Sequence, residues 1–452
     1  RTKRAMPGAS QLPVCFGLGN HGGGPTKDII ETILKLQRKA TDDTVLFSTF
    51  STYFSSEPFT HDSVQNGAFD TINSGCWTND NPYKLANRTA EQMLPEAEFF
   101  VLLCHAFNPA STKQNNLQSA WEKLLKNQFH DLLCGTAIKQ ARDEALWEIH
   151  AALAEAKQLR AFAILQCIQS IDTCNEGFPL FIFNSQGYAY EGLLEIELPW
   201  FCQDSLTIYD DQGAIIPYQR VHTRCKATHL SIGGRRNIVL KVGLPSYGFV
   251  QYRASALESH SMMSGSTPSL DGPYILDNGI IRAVIDEKSG CISSLVELET
   301  NFELLSDVIH YQIWHDERDS WGHMQDGRYS PSDEILSLDS ISYIETGPLR
   351  SSVKIELSGH CIELRMVVVL EAGSDSLLIE NTLVWNKKWH MLRLEIPIVN
   401  DATCTRCETS YGSLERICEP GRDYFMHRYL DTGNLLIVAG DVVDRSEIKF
   451  KI

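Results

Sequence analysis

No stretch of this 452-residue chain is apolar enough, for long enough, to cross a bilayer. Its best run, Ala97 to Phe107, is interrupted by Glu98 and His105 and falls well short of the about 20 residues a spanning helix needs. Positive charge is also scarce: 40 Lys and Arg stand against 57 Asp and Glu, a formal net charge of −17. So acidic a balance argues against nucleic acid and against an anionic membrane surface as partners. Neutral, polyhydroxylated or cationic ligands fit better. The signatures G-x-S-x-G, H-E-x-x-H and Walker A are missing, which removes the main supports of serine hydrolase, zincin and nucleotidase readings. No internal repeat and no low-complexity segment occurs. Arg1 to Ser10 carry positive charge with no apolar stretch behind it, unlike a secretory signal. The chain does not begin with Met, so an upstream segment is expected. The 13 Cys, an odd number without a regular framework, favour reduced thiols and a cytoplasmic setting. A single sequon, Asn87-Arg88-Thr89, is a weak sign of secretion.

What is present is ordinary globular material, 43% hydrophobic and 21% charged, long enough for two or three domains. Three regions differ in period. Residues 1–80 read as the end of an α/β domain. Strands are expected at Leu12 to Phe16 and Thr44 to Thr49, with a glycine-rich loop, Gly17 to Gly24, and a helix from Thr26 to about Ala40. Residues 81–172 repeat apolar positions at helical spacing (Leu117, Ala120, Trp121, Leu124; Ile138, Ala141, Ala145, Ile149, Ala152, Ala156) and predict a three-helix antiparallel bundle. Residues 173–452 show β-branched and aromatic runs separated by turn signals such as Asp211-Gln212-Gly213 and Lys288-Ser289-Gly290. They predict a large antiparallel β-sandwich region, one sandwich or two. The fold class is multidomain α+β.

Four groups of residues could carry chemistry. Gly17-Leu18-Gly19-Asn20-His21-Gly22 satisfies G-x-G-x-x-G, but Gly23, Gly24 and Pro25 separate it from the helix. The next expected strand ends in Ser48, Thr49 and Phe50, with no acidic residue for a ribose hydroxyl, so the dinucleotide reading fails. A loop dense in glycine still suits close approach of backbone to a ligand, and a flexible turn explains any single glycine equally well. Asn127-Gln128-Phe129-His130-Asp131 closes a bundle helix, and at about 100° per residue His130 lies almost opposite the apolar stripe. A His and an Asp at a domain boundary can bind metal or a sugar hydroxyl, or can simply be a solvated helix end. Trp314-His315-Asp316-Glu317-Arg318-Asp319, with Trp321 and His323, reads as one loop of aromatics and carboxylates suited to sugars. Cys404, Cys407, Cys418 and His427 offer a weak zinc pattern, because 418 and 427 are not a closely spaced pair.

Taken together, the motifs resemble glycoside hydrolase family 38, the α-mannosidases of the bacterial and cytosolic branch. Gly19-Asn20-His21-Gly22-Gly23-Gly24-Pro25-Thr26 resembles the glycine-rich signature of that family. Ser74-Gly75-Cys76-Trp77-Thr78, Lys84 and Asn87-Arg88-Thr89-Ala90-Glu91 are similar to the approach to its middle domain. Asn127 to Thr136 resembles its N-Q-F-H-D-I-L-P-G-[ST] segment. Phe181 to Asn184, Asp277 to Gly279, Glu371 to Trp385, and Tyr411-Gly412 with Glu415-Arg416 follow in the family's order.

The resemblance implies a galactose mutarotase-like β region and a retaining α-mannosidase that hydrolyses terminal α-mannosides of oligosaccharides or N-glycans. It implies one zinc ion held by two His and two Asp, one Asp being the nucleophile. His130 matches the zinc-binding His, Asp131 the acid that contacts the sugar, and Asn20 and His21 the substrate-binding loop. Asn20 stands where several relatives carry Asp, and Cys134 where the family has Pro. The family's H-x-D segment and its nucleophile segment are not found in these 452 residues. The expected protein is therefore an incomplete mannosidase, inactive alone, with most zinc ligands and the catalytic residues outside this chain. Its expected partner is a mannose-containing oligosaccharide, and homo-oligomerisation is left open. The alternative is a non-catalytic carbohydrate-binding or scaffold protein.

Overall fold

The computed structural model describes residues 13–18, 24–41, 44–56, 76, 79–107, 117–173, 177–198, 206–222, 236–255, 262–263, 273–316, 321, 330–399, 404–409, 412–417, 426–439 and 447–451. The chain divides into two compact units, Arg1–Gly67 and Ala68–Ile452.

In the first unit, helix α1 (Lys27–Lys39) starts where Thr26 Oγ1 accepts the N–H of Ile29 at 3.3 Å. Asp28 lies in its first turn and Arg38 and Lys39 in its last, each at the favourable end of the dipole. A second helix, α2 (Phe50–Ser56), begins after Thr49, whose hydroxyl accepts the N–H of Thr52 at 3.2 Å. The strands expected at Leu12 to Phe16 and Thr44 to Thr49 are not formed: Pro13 to Phe16 and Thr44 to Thr49 are irregular, and Leu12 lies outside the described residues. A strand persists through its ladder, and these segments have none among the described residues; Val14 and Leu46 stay 70% and 74% exposed.

The second unit opens with helices. They are α3 (Asn81–Phe107), α4 (Gln118–Asn127), the single turn α5 (His130–Leu133) and α6 (Lys139–Gln169). Polar pairs fix their directions. Asp80 bonds Arg142, Glu96 bonds Arg160 and Cys104 bonds Gln166, so α3 and α6 run parallel. Trp121 donates to Glu98 at 2.8 Å and Tyr83 to the Asn127 carbonyl at 2.7 Å, so α4 runs against them. The core is Tyr83, Ala86, Ala90, Leu94 and Ala97 on α3, Ala120 and Leu124 on α4, and Ala145, Ile149, Ala152 and Ala156 on α6. So many alanines bring the helix axes close, which leaves little room for water between them.

From Phe178 the chain is β, with antiparallel ladders throughout the described strands except for one parallel pairing, Tyr218–Val221 with Met262–Met263. Two four-stranded sheets, one containing Phe178–Phe183 and Phe249–Ser255 and the other Tyr190–Leu198 and Arg236–Leu244, enclose Leu206, Ile208, Tyr218, Ile238, Leu240 and Tyr252. A second, larger sandwich packs a nine-stranded sheet against a four-stranded and a three-stranded one. Its central strands, Arg350–Gly359 and Ile362–Glu371, pair Val353 with Val368, Ile355 with Met366 and Leu357 with Leu364 on the buried face. The period-two alternation of the sequence is this face.

A polar seam joins the sandwiches. Arg350, 11% exposed, donates to Glu345 at 2.7 and 2.9 Å and to Glu195 at 2.8 Å. Glu345 also accepts the N–H of His222 at 2.9 Å. The Gln219 carbonyl oxygen accepts the N–H groups of Leu349 and Arg350, both at 2.9 Å, while its amide donates to the Arg350 carbonyl at 2.7 Å. The helices meet the β region through Phe100 against Phe183 (5.7 Å between ring centres), Phe99 against Tyr247 (5.6 Å), and Arg88 donating to the His427 carbonyl at 2.9 Å.

Candidate functional site

The segment Asn127 to Thr136 is anchored at nearly every position. Buried Asn127 donates its amide to the Lys123 carbonyl at 2.8 Å and to Glu148 at 2.7 Å. Gln128 crosses to α3, donating to Asn87 at 3.1 Å and Glu91 at 2.7 Å. The Phe129 carbonyl accepts the N–H groups of Leu132 and Leu133, both at 2.9 Å, which ends α4 and starts the separate turn α5. Lys84 reaches from α3 to the carbonyls of Leu133, at 2.9 Å, and Asn79. Gly135 holds φ +74, and a Cβ there would lie 2.8 Å from the Asn79 Cβ, so both conformation and space demand glycine.

Electrostatics reinforces the frame. Arg142 grips Asp80 with two bonds of 2.8 Å. Burial lowers the affinity of Lys84 for its proton, an effect that nearby Asp80 opposes. Hydrogen bonds from Lys126 and Asn127 hold the Glu148 carboxyl below its usual range. Burial pushes the Tyr83 phenol up to about 12, with help from Asp80 and Glu148. This end of the bundle is thus a set of satisfied polar contacts around a fixed turn.

The side chains of Phe129, His130 and Asp131 stand outside that frame. His130 is 76% exposed and Asp131 54%, with 3.6 Å between His130 Nε2 and Asp131 Oδ1. The Phe129 ring rests against the imidazole, 4.3 Å between centres. His130 projects away from the helix packing because α4 has already ended at Asn127, whereas the sequence placed it on the far face of a continuous helix. Asn20 and His21 lie outside the described residues. Among the described residues no three His, Cys, Asp or Glu side chains converge as a metal cage. The site therefore offers one imidazole and one carboxylate; the residues described do not fit a complete zinc centre.

The other two clusters resolve differently from the sequence reading. Trp314 and His315 belong to a strand, His310–His315, paired along its length with His390–Glu395, and not to a loop. Six consecutive ladder positions outweigh the cluster's polar composition. The Trp314 indole donates to Glu395 at 3.0 Å, and the Arg393 guanidinium covers its ring at 4.4 Å. Residues 317–320 and His323 lie outside the described residues. Cys404 and Cys407 occupy one strand, Cys404–Thr409, three positions apart, so they point to opposite faces, one exposed and one buried. They cannot share an ion. Cys418 lies outside the described residues, and His427 is half-buried beside Arg88 and Glu408. The Asp80–Arg142 clasp was not legible in the sequence: its partners are 62 residues apart and neither carries a motif.

Comparison with known proteins gives this turn its context. Residues 72–166, which hold α3 to α5 and most of α6, match the alpha mannosidase middle domain, and residues 276–433 match the C-terminal domain of glycosyl hydrolases family 38. The chain belongs to glycosyl hydrolase family 38. It is similar to alpha-mannosidase 2C1 of Mus musculus, 25% identical over 444 residues, covering 92% of this chain and 38% of the relative. It is also similar to alpha-mannosidase G of Dictyostelium discoideum, 24% identical, covering 89% of this chain and 39% of the relative. The crystal structure of an alpha-mannosidase from Enterococcus faecalis shares the fold, with a TM-score of 0.70 at 14% identity over 95% of this chain and 58% of that one. Family 38 membership thus rests on both the helical and the sheet-rich regions, while the chain spans well under half the length of the curated relatives it matches.

Proposed function

We propose that this family 38 chain is part of a retaining, zinc-dependent α-mannosidase acting on terminal α-mannosides of oligosaccharides or N-glycans, and that it is inactive by itself. The observation that carries this reading is the Asn127–Thr136 turn. Asn127 and Gln128 are spent on holding the backbone, and His130 and Asp131 are presented outward beside the exposed Phe129 ring. In the proposal His130 donates one imidazole nitrogen to zinc, and Asp131 accepts a hydrogen bond from a sugar hydroxyl. Asn20 and His21 are proposed as substrate contacts on the resemblance of their loop. Zinc, when bound, supplies Lewis-acid orientation of vicinal sugar hydroxyls. The remaining ligands and the nucleophile are assigned to residues not found in this sequence. The 13 Cys, an odd number without a regular framework, support a reducing, cytoplasmic setting. Among the described residues no helix is long and apolar enough to cross a membrane.

Incubation of the chain with an aryl α-mannoside and zinc is the first test, followed by metal analysis after dialysis. Neither hydrolysis nor stoichiometric zinc is expected. Hydrolysis abolished by a chelator would overturn the proposed inactivity, and hydrolysis indifferent to a chelator would overturn the zinc role. The second test reads the coding sequence upstream of Arg1. An in-frame H-x-D segment is expected, and the longer product should cleave the mannoside and lose that activity on His130→Ala. A longer product that is inert would sink the mannosidase reading.

A further inference from the structure

At the end of the bundle remote from His130, two cysteines face each other. Cys104 on α3 and Cys167 on α6 are 2% and 1% exposed and share a small cluster with Phe100 and Ala163. The Cys167 thiol is hydrogen-bonded to Cys104, and the Cys104 thiol also reaches Gln166 Oε1 at 3.4 Å. The neighbouring ion pair Arg160–Glu96, at 2.8 Å, sets the register of the parallel helices two turns earlier. Small side chains, Ala97 and Ala163 among them, line the seam leading to this point. Disulfide formation asks for Cβ atoms about 3.5–4.5 Å apart, a separation within reach of two contacting thiols on closely packed helices. Elsewhere Cys15, Cys361 and Cys404 are exposed, and Cys407 is buried.

We infer that Cys104 and Cys167 are an oxidisable pair that closes to an intramolecular disulfide in response to a hydroperoxide, clamping α3 to α6. One thiolate attacks the O–O bond of hydrogen peroxide, forming a sulfenic acid and releasing the first water. The second thiol then attacks that sulfur, the S–O bond breaks, the S–S bond forms and a second water leaves; the two thiols lose two electrons and the peroxide gains them. The clamp lies where the helices meet the first sandwich, because Phe100 packs on Phe183 immediately beside it. Closing it removes freedom from the unfolded chain between the two positions. Burial pushes the Cys167 thiol up to about 11, so closure is slow at neutral pH and accelerates as pH rises.

The test exposes the native chain to hydrogen peroxide at pH 7 and pH 9 and maps disulfides by mass spectrometry of non-reduced peptides. The expected result is a linked 104–167 pair lighter by two hydrogens, faster at pH 9, and a thermal midpoint raised by several degrees that dithiothreitol returns to its starting value. Cys104→Ser is expected to abolish both the link and the rise; if the buried hydroxyl prevents folding, Cys104→Ala serves instead. Absence of the linked peptide overturns the inference, whether a small alkylating reagent labels both thiols or leaves them untouched. A midpoint rise that persists in the variant also overturns it.

Discussion

The helical region and the β region hold together by different means. Between residues 81 and 169, the helices of one chain segment share a core, the ties between α3 and α6 span 62 to 64 positions, and the exposed His130 turn lies in a contiguous ten-residue motif. The β region closes instead through partners far apart in sequence: Arg350 meets Glu195 across 155 positions and Gln219 across 131. The part that presents the site is therefore assembled within one chain segment. Long-range polar pairing joins the two sandwiches. The first kind of order tolerates loss of an exposed side chain, and the second does not tolerate loss of a buried one.

The sharpest way to break this contrast is Arg350→Ala. It would leave Glu345, 5% exposed, buried and without its guanidinium, at an expected cost of about 3–5 kcal/mol in denaturant unfolding. A loss under 1 kcal/mol would show that the seam is incidental. Gly135→Ala strikes the helical side. The left-handed backbone and the Asn79 contact predict a loss of about 1–3 kcal/mol by the same measurement.

A pH series sharpens the comparison at Glu408, 9% exposed, whose carboxyl is held below its ordinary range first by hydrogen bonds from Arg428. A depressed folded-state value gives stability that is complete above the unfolded pKa, about 4.3, and is lost as pH falls through the folded value. The thermal midpoint should therefore fall below about pH 4, and Glu408→Gln should flatten that fall while lowering the neutral plateau. Equal slopes for the two proteins would discount the pair. The smallest effect belongs to His130→Ala. At 76% exposure its stability change should stay within about 0.5 kcal/mol, so that any functional loss cannot be blamed on unfolding.

Much of the architecture was legible. Thr26 reads as a helix cap and is one, because the requirement is local: an oxygen within reach of the first-turn N–H groups. The alternation of Ile362 to Glu371 likewise translates into a buried face. The expected strands at 12–16 and 44–49 failed for the complementary reason, since a strand is defined by a partner that its own residues cannot supply. Trp314 was misplaced in a loop because its cluster is polar, yet its six-residue pairing with His390–Glu395 decides the conformation. The candidate site was half legible. His130 and Asp131 could be named from their motif, but the Asp80–Arg142 clasp and the Lys84 reach that hold the turn could not.

By itself the sequence determined the kinds of element, the division into helical and sheet-rich regions, and the residues of the outward turn, because periodicity and short motifs act over a few residues. Only the tertiary structure decided where α4 stops, that α3 and α6 run parallel with two thiols in contact, and that Arg350 finds two carboxylates. Those outcomes depend on which distant groups arrive at the same place, and burial then makes each arrival energetically consequential.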